Sequence, residues 1–172
     1  CTDEELEIET VKQQQARLQY LMSSVPSIIY TAKATADYAI TFVSGNVVGI
    51  LGHRPVDFVD DVDFWSTIVH PEDDPTTFHA GATVGDSVST EYRIRHRDGS
   101  YRWIHDQFEV IVDDLQIPVE IVGTWSDITE RKRVEQALQS SHDLLEKSVE
   151  ERTAELSSAN CELQEQMAAR QL

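Results

Sequence analysis

STEYRIRHRDGSYRWIHDQFEVIVDDLQIPVEIVGTWSDITERK, residues 89–132, is the stretch that decides how the rest of the chain folds. Three segments in it alternate as strands do. Tyr92 and Ile94 share one face while Arg93 and Arg95 take the other. In the second segment Ile104, Phe108, Val110 and Val112 oppose Trp103 and His105; in the third Ile121, Gly123 and Trp125 alternate with Val122 and Thr124. Asp98-Gly99 and the Asp113–Pro118 connection carry turn residues, so the stretch predicts three consecutive antiparallel strands joined by hairpins. The sheet they form has two partly apolar faces.

Working back towards the N-terminus, Ser27–Ala32 and Tyr38–Val43 are β-branched and aromatic, and the short Thr35–Asp37 break suits a hairpin. Asp63 to His70 reads as a helical turn with Phe64, Ile68 and Val69 facing inward. At His70-Pro71-Glu72-Asp73-Asp74, proline at a first helical position followed by acids suits the positive end of a helix dipole. Gly81 and Gly85 then release the chain into the strands of residues 89–132.

His96-Arg97-Asp98-Gly99-Ser100-Tyr101-Arg102-Trp103, followed about twenty residues later by Gly123 and then Asp127-Ile128-Thr129-Glu130-Arg131-Lys132, resembles the C-terminal half of a PAS domain. As a compound pattern it is far more specific than a lone short motif. Residues 42–58, FVSGNVVGILGHRPVDF, resemble the segment in which that family's second strand passes into short helices, with Ser44 or Asn46 placed to cap the first. His70-Pro71-Glu72-Asp73-Asp74 is similar to the start of the family's longest internal helix, here running to about Ala80 or Ala82. The resemblance implies an α+β fold, a five-stranded antiparallel sheet with short helices on one face, over residues 24–130. It also implies a sensory module, not an enzyme, although a fold alone never settles a function.

Composition narrows the partners. The 172 residues are 40% hydrophobic and 26% charged, enough for one ordinary domain with extensions. Thirty-one acidic against fourteen basic residues leave −17, which repels phosphate backbones and anionic head groups, so nucleic acid is not an expected partner. Seventeen acids and six bases within residues 26–129 put −11 of that charge on the central domain, concentrated at 57–64 and 71–74. A solubilising surface is the plainer reading of those acids, a cation site the sharper one. No apolar run approaches the roughly 20 residues of a membrane span. Cys1 and Cys161 alone make neither a disulfide framework nor a zinc site, and a cytoplasmic location is expected. A chain that opens on Cys1 and stops inside a helical pattern is expected to be part of a longer protein.

Helices are predicted on both sides. Residues 3–23 lack Gly and Pro and carry Val11, Leu18 and Leu21 on one stripe, an amphipathic helix filling residues 1–23. Asp127-Ile128-Thr129-Glu130 has capping-box spacing and opens a second, long helix, residues 131–172. Leu138, Leu145, Arg152 and Ala159 recur every seven residues, and His142, Val149, Leu156 and Leu163 recur on the adjoining position. Such a helix, about 60 Å long at 1.5 Å per residue, cannot be buried by one small domain. A parallel coiled coil in a homodimer is the expected partner, with the N-terminal helix contributing. The polar and small seam residues weaken it while fixing register. A rigid spacer without switching remains open beside a signalling coil. The tail also looks like the helical linkers that precede histidine kinase or diguanylate cyclase output domains in bacterial sensors.

Chemistry is sparse. There is no nucleophile-elbow serine and no glycine-rich phosphate loop, so no catalytic residues and no metal cage are expected. A pocket between sheet and helices would be lined by Ile29, Tyr30, Phe42, Val48 and Leu51 from the first half, and by Phe64, Ile68, Phe108, Val110 and Val122 beyond. The same residues serve a plain core. Within the resemblance, cysteine-adduct flavin chemistry is out of reach because both cysteines lie outside the domain, while haem or a non-covalent flavin stays open. His79, eight residues after Pro71, lies close to where haem-binding members place an axial ligand, while the plainer reading of one histidine on a short helix is a surface or packing residue. Trp125, Asp127, Thr129 and Glu130 form the expected relay from sheet to helix. A ligand-free interaction and dimerisation module, and a haem-based redox or gas sensor, are the alternatives to a pocket-driven sensor.

Overall fold

A computed structural model describes residues 12–17, 20, 22, 25–35, 38–73 and 87–169, without the side chains of 163–165, 168 and 169. Residues 12–17 are helical, as expected of the N-terminal segment; Val11, Leu18 and Leu21 lie outside the described residues. Five strands follow the predicted order: β1 (Ser27–Lys33), β2 (Ile40–Val43), β3 (Ser87–Arg95), β4 (Tyr101–Val112) and β5 (Pro118–Asp127). Among the described residues between β2 and β3 lie three single-turn helices, α1 (Val47–Leu51), α2 (Pro55–Val59) and α3 (Phe64–Ile68); α4 (Thr129–Ala169) follows β5.

The sheet is antiparallel throughout, in the order β2-β1-β5-β4-β3. The last strand therefore lies in the middle, between the first and the fourth. The β3–β4 connection is longer than a two-residue turn: the His96 amide donates to the Ser100 carbonyl at 2.8 Å, and Gly99 takes φ 89°, a conformation glycine adopts without a side-chain clash. The expected three-strand alternation holds. Tyr92, Ile94, Ile104, Phe108, Ile121 and Trp125 are buried on one face with Ile28, Tyr30 and Ala32 of β1. Val47, Leu51, Phe58 and Ile68 from the short helices complete that core, so the helices cover this face of the sheet.

Ser44 and Asn46 are not used as helix caps. Buried Ser44 accepts the Ile29 amide (2.8 Å) and donates to Asn46 Oδ1 (2.6 Å), while Asn46 Nδ2 donates to the carbonyls of Val25 and Ser27. The two side chains satisfy backbone groups around the start of β1, and neither makes a capping hydrogen bond to α1. Among the three short helices the cap that does form is at α2, where Asp57 accepts the Arg54 amide at 2.8 Å beside Pro55 at the first helical position.

Candidate functional site

Alternation along β4 puts Asp106 between Ile104 and Phe108 on the buried face, 1% exposed. A carboxylate there must be hydrogen-bonded or neutral. Two tyrosines meet it from different strands: Tyr30 Oη donates to Oδ1 at 2.9 Å and Tyr92 Oη donates to Oδ2 at 2.8 Å. Tyr92 reaches it diagonally, since its own partner across β3–β4 is Ile104. Tyr30 must cross a whole strand. It pairs with Gly123 of β5, which pairs in turn with Phe108 of β4, and a Cβ on Gly123 would lie 2.6 Å from the Tyr30 ring. The bare glycine lets the phenol lie across β5 and reach Asp106.

Trp125, directly opposite Asp106 in the β4–β5 register, stacks on Tyr30 with ring centroids 4.5 Å apart and 25° between planes. Phe58 packs on Trp125 at 5.7 Å, and Trp65 meets Tyr92 edge-on at 5.9 Å. Burial raises the Asp106 pKa to about 6, against the pull of hydrogen bonds from Tyr92 and Tyr30 and of the nearby Trp125 indole. The indole N–H is buried and faces the carboxylate without closing a well-formed hydrogen bond. Burial first, and the carboxylate next, push both tyrosines well above the usual phenol value. Beside this cluster is a cavity of about 10 Å³, roughly one water in size, lined by Tyr30, Ala32, Tyr38, Ile40, Trp65, Asp106 and Trp125.

On the other face of β3, Arg93 reaches the start of the acidic stretch. Its Nε and Nη2 donate to the two oxygens of Asp73 at 3.0 and 2.9 Å, and Nη2 also donates to Glu72 at 3.0 Å. Asp73 accepts the Arg93 amide as well (2.8 Å), and the guanidinium lies 5.4 Å from the Trp103 ring centre. These hydrogen bonds lower the Asp73 pKa. His70 accepts the Glu72 amide through Nδ1 and packs against Tyr101.

At the end of β5, the Ile128 amide donates to the Trp103 carbonyl at 2.8 Å and the Trp103 amide donates to Thr129 Oγ1 at 2.9 Å. Asp127 Oδ1 accepts the Thr129 amide at 2.8 Å. The expected capping role of Asp127 is therefore realised one residue earlier than a strict box. Glu130 is exposed, 3.7 Å from Arg133.

Of the residues expected to line a pocket, Tyr30 alone borders the cavity beside Asp106. Leu51, Ile68 and Phe108 are core, with Phe64 and Val110 packed against it. Four need correction. Phe42 (39% exposed) and Val48 (50%) face outward, and Ile29 and Val122 alternate away from Tyr30 and Gly123 onto the opposite face of the sheet. His79 lies outside the described residues. Along α4, Leu138, Leu145, Val149 and Leu156 are exposed, as are His142, Arg152 and Ala159; the Leu163 side chain is outside the described ones. Asp106, Tyr92, Trp65 and Tyr38 were not among the expected site residues. The signal for Asp106 was present: an acid at an inward position of a strand.

The family model described as the PAS fold matches residues 40–125, half of the chain. The chain belongs to the PAS fold family, a class of sensor domains in signal-transduction proteins. It is 28% identical over 145 residues to the two-component sensor PprA of Pseudomonas aeruginosa, covering 81% of this chain but 15% of that protein's length. Among solved structures it is similar to a sensory box histidine kinase/response regulator from Burkholderia thailandensis, with a TM-score of 0.59, 26% identity, and coverage of 76% of this chain and 98% of that one. It is also similar to the N-terminal domain of a diguanylate cyclase with PAS/PAC sensor from Marinobacter aquaeolei, with a TM-score of 0.55, 27% identity, and coverage of 62% and 98%. No helix among the described residues is long and apolar enough to cross a membrane.

Proposed function

We propose that this chain is the input module of a homodimeric signal transducer, and that the state of the Asp106 cluster is passed along β5 to α4 and on to an output domain in the same protein. The observation that carries this reading is the double hold on Thr129. Its side chain accepts the Trp103 amide while its own amide is held by Asp127, so the first residue of α4 is part of the sheet's hydrogen-bonding. Trp125, which packs against Asp106's tyrosine partner, is two residues before Asp127 on the same strand. A change at Asp106 shifts Trp125, and a shift of β5 moves the anchor of α4.

The exposed 4/3 stripe of Leu138, Leu145, Val149 and Leu156 supports pairing of α4 with the same helix of a second copy, and polar His142 and Arg152 within that stripe make the pairing adjustable. Asp127→Ala and Thr129→Ala in the full-length protein test the relay. The fold is expected to survive while output stops following the stimulus; normal regulation in both variants rules the relay out. Leu145→Glu tests the coil, with a loss of dimer in sedimentation experiments expected and an unchanged association state contradicting it.

A further inference from the structure

We infer that the stimulus read by this cluster is acidification: Asp106 takes up a proton on Oδ1, and the Tyr30 hydroxyl turns from donor to acceptor, its own hydrogen directed into the adjoining cavity. This rests on the sensor reading above and names what the site responds to.

Charge is the starting point. From β1, β3 and β5 the groups acting on Asp106 are the Tyr30 hydroxyl, the Tyr92 hydroxyl and the Trp125 indole, and Trp65 of α3 packs on Tyr92 behind them. Among the described residues no lysine, arginine, histidine or second acid acts on it. A buried carboxylate held by neutral donors alone is costly to keep ionised, and taking up a proton removes that cost. With the pKa raised to about 6 by burial, the protonated share goes from about a tenth at pH 7 to about nine tenths at pH 5. An exposed acid of ordinary pKa stays ionised over most of that range.

Donor and acceptor counts decide which partner responds. As an anion Asp106 only accepts, and its two oxygens take one hydroxyl each. As an acid it carries a hydroxyl that must donate, so one tyrosine has to accept and send its own hydrogen elsewhere. Tyr92 does not border the cavity. Tyr30 does, and the space of about 10 Å³ beside it admits one water to accept the displaced hydrogen. Trp125, whose buried indole N–H lies near both Asp106 and Tyr30, lines the same wall and gives such a water a second partner. Exposed Tyr38 at the rim gives the proton an approach from the hairpin side. Because Trp125 stacks on Tyr30 and lies opposite Asp106, it registers the reversal.

The test is a titration of the 172-residue chain from pH 7.5 to 5, read through the infrared carbonyl band of a protonated carboxylic acid and through Trp fluorescence. In the wild type both signals are expected to grow with one midpoint near 6. Asp106→Asn, checked for native fold by circular dichroism, should lose both although every histidine remains. Tyr30→Phe should keep the acid band and lose most of the fluorescence change. Tyr92→Phe should keep both, with the midpoint moved up because the carboxylate has lost a donor. No acid band by pH 5, or both signals undiminished in folded Asp106→Asn, overturns the assignment; a fluorescence change undiminished in Tyr30→Phe overturns the hydroxyl reversal. Joint titration of both signals that leaves the Thr129 amide unmoved supports proton uptake at Asp106 and sinks the relay to α4 instead.

Discussion

Tyr92 and Arg93 are neighbours on β3 that point to opposite faces, and each holds an aspartate. Tyr92 offers Asp106 a hydroxyl in a dry core; Arg93 offers Asp73 a guanidinium at a half-exposed edge. The two carboxylates respond in opposite directions. Asp106 is pushed up to about 6 because burial outweighs its neutral hydrogen bonds, whereas Asp73 is held below the usual carboxylate range by Arg93. One acid is left able to change charge near neutral pH, and the other is fixed as an anion. The first suits a sensing role and the second a fastening one. Hydrogen-bond count does not separate the two sites, since both acids are well bonded; the charge of the donor does.

The harshest way to break the comparison is to remove the packing that makes the core side dry. Trp125→Ala should cost about 3–5 kcal/mol in urea unfolding, the range for deleting a buried aromatic. Gly123→Ala is expected to cost about 1–3 kcal/mol, because the new methyl meets the Tyr30 ring and forces it off Asp106.

Comparable in size is the pH response of Asp106. Its folded pKa lies above the unfolded value of 3.8, so the folded state binds the extra proton between those values. Its contribution to stability is therefore fullest below about pH 4 and is lost as pH rises through about 6, a swing of roughly 3 kcal/mol. Asp106→Asn should flatten that part of the stability profile and leave the protein as stable as wild type, or more so, at pH 8. Denaturant midpoints at pH 5 and pH 8 check this, and an unchanged difference between the two pH values contradicts it.

Asp73 carries the opposite sign. Its contribution is present above its unfolded pKa and is lost as pH falls through the lowered folded one. Arg93→Met should cost about 1–2 kcal/mol at pH 7, the worth of a partly exposed charge-assisted pair, and speed hydrogen exchange at residues 72 and 73. The smallest effect expected is Thr129→Ala, about 1 kcal/mol in stability, with its larger consequence in signalling.

Much of the fold was legible because the strands announce themselves by alternation. Tyr92 and Ile94 against Arg93 and Arg95, and Ile121 and Trp125 against Val122 and Thr124, needed no tertiary information. Their spatial order did. That β5 lies between β1 and β4 depends on contacts a local pattern does not encode, and so does the crossing of Tyr30 over Gly123. The site was less legible for the same reason. A list of apolar residues picked Ile29 and Val122, which share chain neighbourhoods with Tyr30 and Gly123 but face the other way, and passed over Asp106 because an acid does not look like core. An acid at an inward strand position is the feature that breaks the local rule, and such breaks mark sites. Ser44 and Asn46 misled differently. Their chemistry suits a helix cap, and β1's open backbone groups claimed them first.

The most direct test follows two signals in one pH titration from 4 to 8: the carboxyl carbon of Asp106 and the backbone amide of Thr129, by NMR. Asp106 is expected to titrate near pH 6, and the Thr129 amide to move with the same midpoint. Asp106 titrating near 4, or a Thr129 amide that stays still while Asp106 takes up its proton, contradicts this.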